Sequence, residues 1–418
     1  SKLYNSAIRK ISRLVGKGKV GARLCKLCRE MKFALKDFFL SSSFFEKYGL
    51  RYFGPVDGHN IEQLENYLTL CKSTDYPVLL HVKTIKGKGN DSASEFPDKF
   101  HSISPLRSDS QMRMNHVLGQ ELLKLARADK RIIGVTAAMA NGTGLAYLRD
   151  NLPNQYLDVG IAEEHAVTMC AGLAKAGMRP VCIIYSTFMQ RAFDQLLHDI
   201  CLQNLPVIFC IERAGLAAND GPTHHGLFDI TYTRCLPNAV VMQPRNTAEF
   251  QAMIREAMNY KNPIFIRYNS AYNYSNNLPV APLKHGCAET LKQGCDICLV
   301  ALGKFIDSAI KVDEYLGGKC GIVNARFIKP LDRNLLLALA KEYSLIASLE
   351  DNVLAGGFGS ALMEYYNECD INVPVLRFGW PDCFVEHGTN PEILQDTYHL
   401  DPKSIAERIS AYKKSMAK

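Results

Sequence analysis

The chain alternates short, continuously apolar runs with stretches whose apolar residues recur every three to four positions. The apolar runs predict buried parallel strands, and the other stretches predict amphipathic helices. Between residues 108 and 270 the predicted strands are Ile132–Thr136, Leu157–Ile161, Val181–Tyr185, Val207–Ile211, Val240–Met242 and Ile264–Arg267. This alternation is typical of a parallel sheet with helices on both faces.

Two further regions repeat the pattern. Beyond residue 285 the predicted strands are Ile297–Ala301, Gly321–Asn324, Leu345–Leu349 and Val375–Phe378, before a closing helix Ser404–Ser415. Residues 44–105 carry one strand–helix–strand unit, which is too little sheet for a stable domain. The predicted fold class is therefore α/β, with three parallel-sheet units of which the first is expected to be incomplete.

The predicted segments are a basic mobile segment (1–43), the C-terminal remnant of a first domain (44–107), a second domain (108–280) and a third (281–418). From Arg9 to Lys36 there are ten Lys and Arg residues against one acid, with apolar residues at near-helical spacing. We interpret this segment as a solvated connection. Contact with nucleic acid or an anionic membrane is the alternative, and neither is expected as a partner.

Composition narrows the class of protein. The 418 residues are 47% hydrophobic and 22% charged, without an apolar run long enough for a membrane span. Fourteen cysteines suit a reducing compartment, cytoplasmic or of the plastid type. Cys25–Cys28 and Cys295–Cys298 have zinc-like spacing but lie far apart, which favours small apolar residues over a metal site. Because the chain begins with Ser1, we expect a piece of a longer protein.

The stretch from Tyr156 to Val167 predicts a strand that runs directly into a helix. Glu163, Glu164 and His165 fall in the first turn of that helix. Acidic residues are common there because they interact with the positive end of the helix dipole. Taken alone, this stretch therefore needs no functional explanation.

Polar residues also follow the neighbouring strands, where binding sites collect in such sheets. Tyr185-Ser-Thr-Phe188 and Arg191 follow one strand, and the glycine-rich loop from Arg213 to His225 follows another. This brings a carboxylate, an aromatic residue, two arginines, an aspartate and a histidine pair to one rim. Metal binding by His224 and His225 is disfavoured, because adjacent side chains diverge.

These motifs resemble those of transketolase-like thiamine diphosphate enzymes, and specifically the 1-deoxy-D-xylulose-5-phosphate synthase family. The resemblance runs from about residue 44 to residue 418. The matching stretches are Gly54–His59, Asp158–Val167, Tyr185–Gln195, Leu197–Asp199, Arg213–His224, Ala325–Asp332 and Glu350–Gly359.

The resemblance implies an enzyme that decarboxylates pyruvate and condenses the product with glyceraldehyde 3-phosphate, on the way to isoprenoid precursors, thiamine and pyridoxal. Glu163 would activate thiamine diphosphate, and His101 and His224 would be the other catalytic residues. The predicted cofactor-binding residues are Phe188, Ile161, Met139, Arg191 and Lys86, the last in a basic loop that could cradle a phosphate. The predicted substrate-binding residues are Tyr185, Arg213, Asp220 and His224.

The chain departs from the family pattern in two main respects. The family's Gly-Asp-Gly motif, which holds Mg²⁺ and the diphosphate, does not occur here, so no metal ligands are predicted in this chain. After the strand Ile264–Arg267, Ser270 replaces a family arginine that contacts phosphate. Losing one such charge-assisted bond would cost about 1.5–3 kcal/mol. Thr136–Asn141 also lacks the family's proline and Arg-Glu pair.

These departures leave three interpretations open. In the first, the chain is an enzyme that is completed by a separate N-terminal fragment, and the resemblance implies a homodimer. Alternatively, it is a catalytically silent module that binds or regulates a partner subunit. In a third interpretation, it is a related transferase that has drifted from the phosphorylated acceptor, which Ser270 favours and which Arg213, Asp220 and His224 disfavour.

Overall fold

The computed structural model describes residues 43–97, 100–101, 113–217, 220–269, 278–388 and 390–416. It divides into two compact units, Ser1–Pro105 and Leu106–Lys418. None of the described helices has the length and apolar character needed to cross a membrane.

The described residues of the first unit contain one parallel strand pair. Its elements are α1 (Ser43–Lys47), β1 (Arg51–Asp57), α2 (Ile61–Lys72), β2 (Val78–Lys83) and α3 (Asp91–Glu95). β1 and β2 pair in parallel, with Arg51 opposite Val78. Asn60 ends the turn after β1, and its side-chain oxygen accepts a hydrogen bond from the Gln63 amide at 2.9 Å. This cap satisfies one of the free amides at the start of α2.

The second unit begins with alternating helices and strands. They are α4 (Met114–Ala128), β3 (Ile132–Thr136), α5 (Ala146–Asn151), β4 (Tyr156–Asp158), α6 (Glu163–Lys175), β5 (Arg179–Tyr185), α7 (Ser186–Met189), α8 (Phe193–Gln195), β6 (Ile208–Glu212), α9 (Asp229–Arg234), β7 (Val240–Met242), α10 (Thr247–Ala257) and β8 (Ile264–Arg267). A π-helical turn, Leu196–Cys201, continues α8.

The remaining elements form the C-terminal part of this unit. They are β9 (Glu289–Lys292), β10 (Asp296–Ala301), α11 (Phe305–Tyr315), β11 (Gly321–Asn324), β12 (Phe327–Lys329), α12 (Arg333–Glu342), β13 (Tyr343–Val353), α13 (Phe358–Glu368), β14 (Val375–Trp380), α14 (Pro391–Thr397) and α15 (Pro402–Met416).

Within the described residues these strands form two sheets. One has the order β12-β7-β8-β6-β5-β3-β4, and the other has the order β14-β13-β10-β11-β9. The strands are parallel except at two edges, where β12 runs antiparallel to β7 and β9 antiparallel to β11. The predicted α/β class is confirmed. β12 joins the sheet of residues 108–280 although it lies in the segment 281–418.

The inner strands of the seven-stranded sheet are buried because helices cover both of its faces. Every residue of β3, β6, β7 and β8 is buried. One core cluster packs Val135, Phe209 and Phe265 with residues of the second sheet such as Val300 and Ile346. This shared core makes the ends of β5 and β6 a rigid support for the loops that follow them.

Candidate active site

Glu163 is the first residue of α6, and only 2% of its surface is exposed. One of its carboxylate oxygens, Oε2, lies 3.2 Å from Nη1 of Arg191, whose side chain is 54% exposed. A buried carboxylate needs a partner of this kind. The structure therefore brings together a predicted catalytic residue, which is buried, and a predicted cofactor-binding residue, which is accessible.

The turn before α6 corrects one prediction. The strand predicted to extend to Ile161 ends at Asp158, and Gly160 has a φ of +74°. The Asp158 side chain accepts a hydrogen bond from the Gly160 amide at 2.9 Å, which turns the chain away from the sheet. Ile161, predicted to line the cofactor pocket, is consequently 79% exposed.

Asp158 also links this turn to a second loop. The oxygen that bonds Gly160, Oδ1, accepts a bond from the Ala138 amide at 2.7 Å, and Oδ2 accepts one from the Tyr156 hydroxyl at 3.0 Å. Ala138 has a φ of 60°, a left-handed conformation that is unfavourable for alanine. Asp158 thus holds the loop that carries Met139, which is half-buried against the core. Sequence reasoning assigned Asp158 no role, because its bond to Ala138 reaches a loop 20 residues earlier in the chain.

An aromatic layer covers the ends of β5 and α7. The ring of Tyr185 stacks on that of Phe188 at a centroid distance of 5.5 Å, and Phe188 meets the His224 ring edge-on at 5.4 Å. Tyr185 is buried, whereas Phe188 and His224 are partly exposed. Nδ1 of His224 lies 2.9 Å from the Thr223 hydroxyl. Phe188 therefore presents ring surface within one helical turn of Arg191.

Arg213 adds a cation to this layer. Its guanidinium carbon lies 4.1 Å from the centroid of the Tyr185 ring, and it forms an ion pair with Asp220. Burial, together with the charge of Glu212, raises the pKa of Tyr185 to about 12, although Arg213 opposes the rise. Tyr185 is therefore a neutral phenol near neutral pH. Three of the residues predicted to bind substrate, Tyr185, Arg213 and Asp220, are therefore in contact, and Phe188 connects His224 to them.

The loop that carries Arg213 is fixed from the second sheet. Asp351, at the end of β13, accepts a hydrogen bond from the Leu216 amide at 3.2 Å, and a Cβ on Gly215 would lie 2.0 Å from its carboxylate. Asp351 is itself held by Lys304 at 3.0 Å and by the Trp380 indole at 2.7 Å. The interior of the C-terminal part therefore positions the rim of the candidate site.

The two adjacent histidines of this loop have different surroundings. His225 is buried, with Nδ1 accepting from the Ala217 amide at 3.1 Å and Nε2 lying 3.1 Å from the Glu386 carbonyl. Its ring therefore braces the loop, whereas His224 contacts Phe188. No cluster of three or more potential metal ligands occurs among the described residues.

Two predicted site residues lie in the first unit. Nζ of Lys86 and Nδ1 of His101 are 2.8 Å apart, and both side chains are exposed. Lys86 follows β2, so the basic loop and the loop of His101 meet within that unit. Ser270 and the pair Cys25 and Cys28 lie outside the described residues.

Models of three protein families match successive segments of the chain. The model for 1-deoxy-D-xylulose-5-phosphate synthase matches residues 1–84. The transketolase pyrimidine-binding domain matches residues 110–272, and the transketolase C-terminal domain matches residues 286–405.

Curated relatives share the name 1-deoxy-D-xylulose-5-phosphate synthase. The protein of Halothermothrix orenii is 44% identical over 405 residues, which cover 93% of this chain and 63% of the relative. That of Thermosynechococcus vestitus is 47% identical over 382 residues, covering 87% and 60%. That of Clostridium acetobutylicum is 41% identical over 423 residues, covering 98% and 68%. The chain thus spans less than two thirds of the first two relatives.

Solved transketolase structures have the same fold. A split-gene transketolase, described as an inactive β4 tetramer, aligns with a TM-score of 0.66 and 26% identity, covering 72% of this chain and 98% of that one. Campylobacter jejuni transketolase aligns with a TM-score of 0.61 and 15% identity, covering 88% and 68%. With 41% identity over 68% of the Clostridium acetobutylicum protein, the chain belongs to the 1-deoxy-D-xylulose-5-phosphate synthase family.

Proposed function

We propose that this chain is part of a 1-deoxy-D-xylulose-5-phosphate synthase that uses thiamine diphosphate and Mg²⁺. Its reaction would decarboxylate pyruvate and join the remaining two carbons to glyceraldehyde 3-phosphate, supplying isoprenoid precursors, thiamine and pyridoxal. The observation that carries the proposal is the burial of Glu163 beside Arg191, which lies one helical turn after the partly exposed ring of Phe188.

These residues fit the pyrimidine end of the cofactor. Glu163 would hydrogen-bond a ring nitrogen, because a carboxyl shielded from water forms strong bonds of this kind. Phe188 would stack on the ring, with Met139, Ile161 and Arg191 around it. When bound, the cofactor supplies an electron sink at its thiazolium ring, and the protein contributes orientation and exclusion of water.

The set around Arg213 fits a phosphorylated acceptor. A planar guanidinium recognises phosphate through paired hydrogen bonds. Arg213 would contribute such bonds, and its ion pair with Asp220 would hold it in place until the acceptor arrives. Tyr185 and His224 would complete the acceptor site, with His224 close enough to Phe188 to move a proton near the cofactor.

Lys86 and His101 are proposed to act from the first unit. Lys86 would bind the diphosphate as a point charge, and His101 would transfer a proton. Their separation of 2.8 Å would let the ammonium group orient the imidazole.

The proposed domain assignment follows the predicted boundaries. Residues 44–107 would belong to the diphosphate-binding domain, 108–280 to the pyrimidine-binding domain and 281–418 to the C-terminal domain. The ligands of Mg²⁺ would come from sequence that the longer relatives possess, supplied by a separate N-terminal fragment. A homodimer is the proposed assembly.

A catalytically silent module is the second candidate function. It is favoured by the split-gene transketolase, because that chain is described as inactive and this chain covers 98% of it. In that case the chain would bind or regulate a partner subunit. Glu163 and Phe188 would then have no catalytic use.

Calorimetry with thiamine diphosphate and Mg²⁺ distinguishes the two candidates. The titration uses the chain alone and the chain mixed with the N-terminal portion of the Clostridium acetobutylicum relative. Under the enzyme proposal, the mixture binds the cofactor and turns over pyruvate, and Glu163→Ala abolishes both. The exposed neighbour substitution Glu164→Ala is the matched control and should leave binding intact. If neither sample binds, the silent module stands.

A further inference from the structure

Glu212, the last residue of β6, is a buried carboxyl group that the roles above leave unexplained. It is 2% exposed, and its oxygen Oε2 has no hydrogen-bond partner among the described residues. Glu212 pairs in register with Tyr185 on β5. Register partners of parallel strands project from the same face of a sheet, so the carboxyl lies beside the phenol that Arg213 covers.

Charged and titratable neighbours act on this carboxyl from several elements. They are Tyr185 on β5, Arg213 and Asp220 in the following loop, and Arg113 before α4. Burial raises the pKa of Glu212 to about 8, the two arginines oppose the rise, and Asp220 adds to it. Glu212 is therefore mainly protonated near neutral pH, and it loses its proton in a mildly alkaline solution.

The charge balance at Arg213 explains why that protonation matters. Arg213 carries one positive charge and already pairs with Asp220. If Glu212 were also ionised, two carboxylates would act electrostatically on one guanidinium, and an incoming dianion would be repelled. A protonated Glu212 removes one negative charge and provides a hydroxyl donor instead of a second acceptor.

We propose that Glu212 is a positioning residue that keeps its proton while a dianionic phosphate group binds at Arg213. Binding to the form in which Glu212 is ionised then takes up one proton from solvent, which converts the carboxylate to the carboxylic acid. No bond to the ligand forms or breaks. This inference rests on the proposed function only for the choice of a phosphate ester as the ligand.

Sulfate is the probe for this coupling, because it remains a dianion across the whole pH range of interest and does not titrate itself. Its affinity is measured by calorimetry between about pH 6.5 and about pH 9.5, on the chain alone and on its mixture with the N-terminal portion of the relative. If only the protonated form of Glu212 permits binding, the affinity falls about tenfold between pH 7 and pH 9. Glu212→Gln, which stays neutral, should reduce that fall to less than about twofold.

Two control variants distinguish the effect of Glu212 protonation from sulfate binding at Arg213 itself. Arg213→Met should abolish sulfate binding at every pH, which tests the proposed acceptor site. Glu368→Gln, at a glutamate whose side chain is 64% exposed, should keep the wild-type pH profile. A pH profile that persists unchanged in Glu212→Gln would overturn the inference and leave the proposed function standing. An absence of sulfate binding in the wild type would overturn the inference and the acceptor role of Arg213, whereas cofactor binding and pyruvate turnover test the proposed function separately.

A second measurement needs only the wild type, so it tests the proposal even if Glu212→Gln fails to fold. Sulfate binding heats are compared in two buffers that differ in ionisation enthalpy, which gives the number of protons taken up. The expected uptake approaches one proton per sulfate near pH 9 and falls toward zero near pH 6.5. No uptake at either pH would contradict the proposal regardless of how Glu212→Gln behaves.

Discussion

Two sets of buried ionisable side chains in the second unit differ in how completely they are paired. Between the sheets, the guanidinium of Arg267 donates to both carboxylate oxygens of Asp229, at 2.7 and 3.0 Å. At the strand ends, Glu163 pairs with a largely exposed arginine, and Oε2 of Glu212 lacks a described donor. The hydrogen bonds of the first set are made within the protein, whereas the second set keeps hydrogen-bonding capacity that a ligand could use.

The difference separates stability from recognition. A buried charge that loses its partner destabilises the folded state strongly, so Arg267 and Asp229 are needed for folding. Glu163 and Glu212 are less completely paired, and their replacement by neutral isosteres should affect binding more than folding. Measurements of turnover and of the free energy of unfolding test this expectation.

The largest expected effect is on turnover. Glu163→Gln keeps the shape of the side chain but cannot exchange a proton with a ring nitrogen. We expect pyruvate turnover in the cofactor-binding assembly to fall about 10³-fold, in the range of lost general acid–base catalysis. The free energy of unfolding should change by less than about 1 kcal/mol. Glu164→Gln, at an exposed neighbour, should retain wild-type turnover, and a Glu163→Gln variant that does so would contradict the assignment.

The next effect is on stability. Arg267→Met leaves the Asp229 carboxylate buried without its cation, and we expect the free energy of unfolding to fall by about 3–5 kcal/mol in urea titrations. Adding Asp229→Leu should restore part of the loss, because the uncompensated charge is then removed. The exposed pair of Arg333 and Glu368 offers the matched control, since Arg333→Met should cost less than about 1 kcal/mol.

The fold was predictable where burial alone determines a strand. β3, β7, β8 and β11 have the predicted bounds, because each is a continuous apolar run covered on both faces. The edge strands β9 and β12 were missed. β9 reads Glu-Thr-Leu-Lys and β12 has three residues, so neither forms a long apolar run, and antiparallel pairing with a distant strand stabilises each of them.

For the candidate site, the sequence predicted which side chains lie close together. Side chains after successive parallel strands meet at one edge of a sheet, which explains why Tyr185, Phe188, Arg213 and His224 form contacts. Their roles remain proposals. Glu212 could not be singled out, because its importance depends on burial and on a missing partner.

The pH dependence of stability tests a buried carboxyl of the interior. Burial raises the pKa of Glu350 to about 7 from its ordinary value of 4.5, although its bonds to the amides of Phe358 and Gly359 oppose the rise. The unfolded chain ionises this group more readily, so its stabilising contribution is complete below about pH 4.5 and is lost as the pH rises through about 7. We expect a loss on the order of 3 kcal/mol between pH 4.5 and pH 8.

Urea titrations at several pH values check this expectation in the wild type and in Glu350→Gln. The variant should be less stable at pH 5, because its amide accepts at only one atom where the carboxyl bonds two backbone amides. Its stability should also change less with pH. Equal slopes in the two proteins would mean that Glu350 does not titrate in this range.

The smallest expected effect concerns Asp158. It belongs to neither set, because it is exposed and both of its carboxylate oxygens accept hydrogen bonds. Asp158→Ala removes the bonds that hold the left-handed Ala138 and the turn at Gly160, and thus the two loops that carry Met139 and Ile161. We expect the cofactor affinity measured by calorimetry to fall about tenfold, since the lost bonds contribute on the order of 1 kcal/mol each and solvent replaces part of them.

The matched pair of substitutions at Asp158 separates geometry from charge. In Asp158→Asn the amide oxygen can still accept from the Ala138 and Gly160 amides, so the loops should keep their positions and the affinity should stay within about threefold of wild type. Asp150→Ala, at an exposed aspartate paired with Arg149, controls for the loss of a surface carboxylate. If asparagine were as damaging as alanine, the negative charge would matter rather than the two bonds. The exposed carboxylate would then influence the site through its electric field. How completely a residue is paired would no longer predict whether its replacement affects folding or binding.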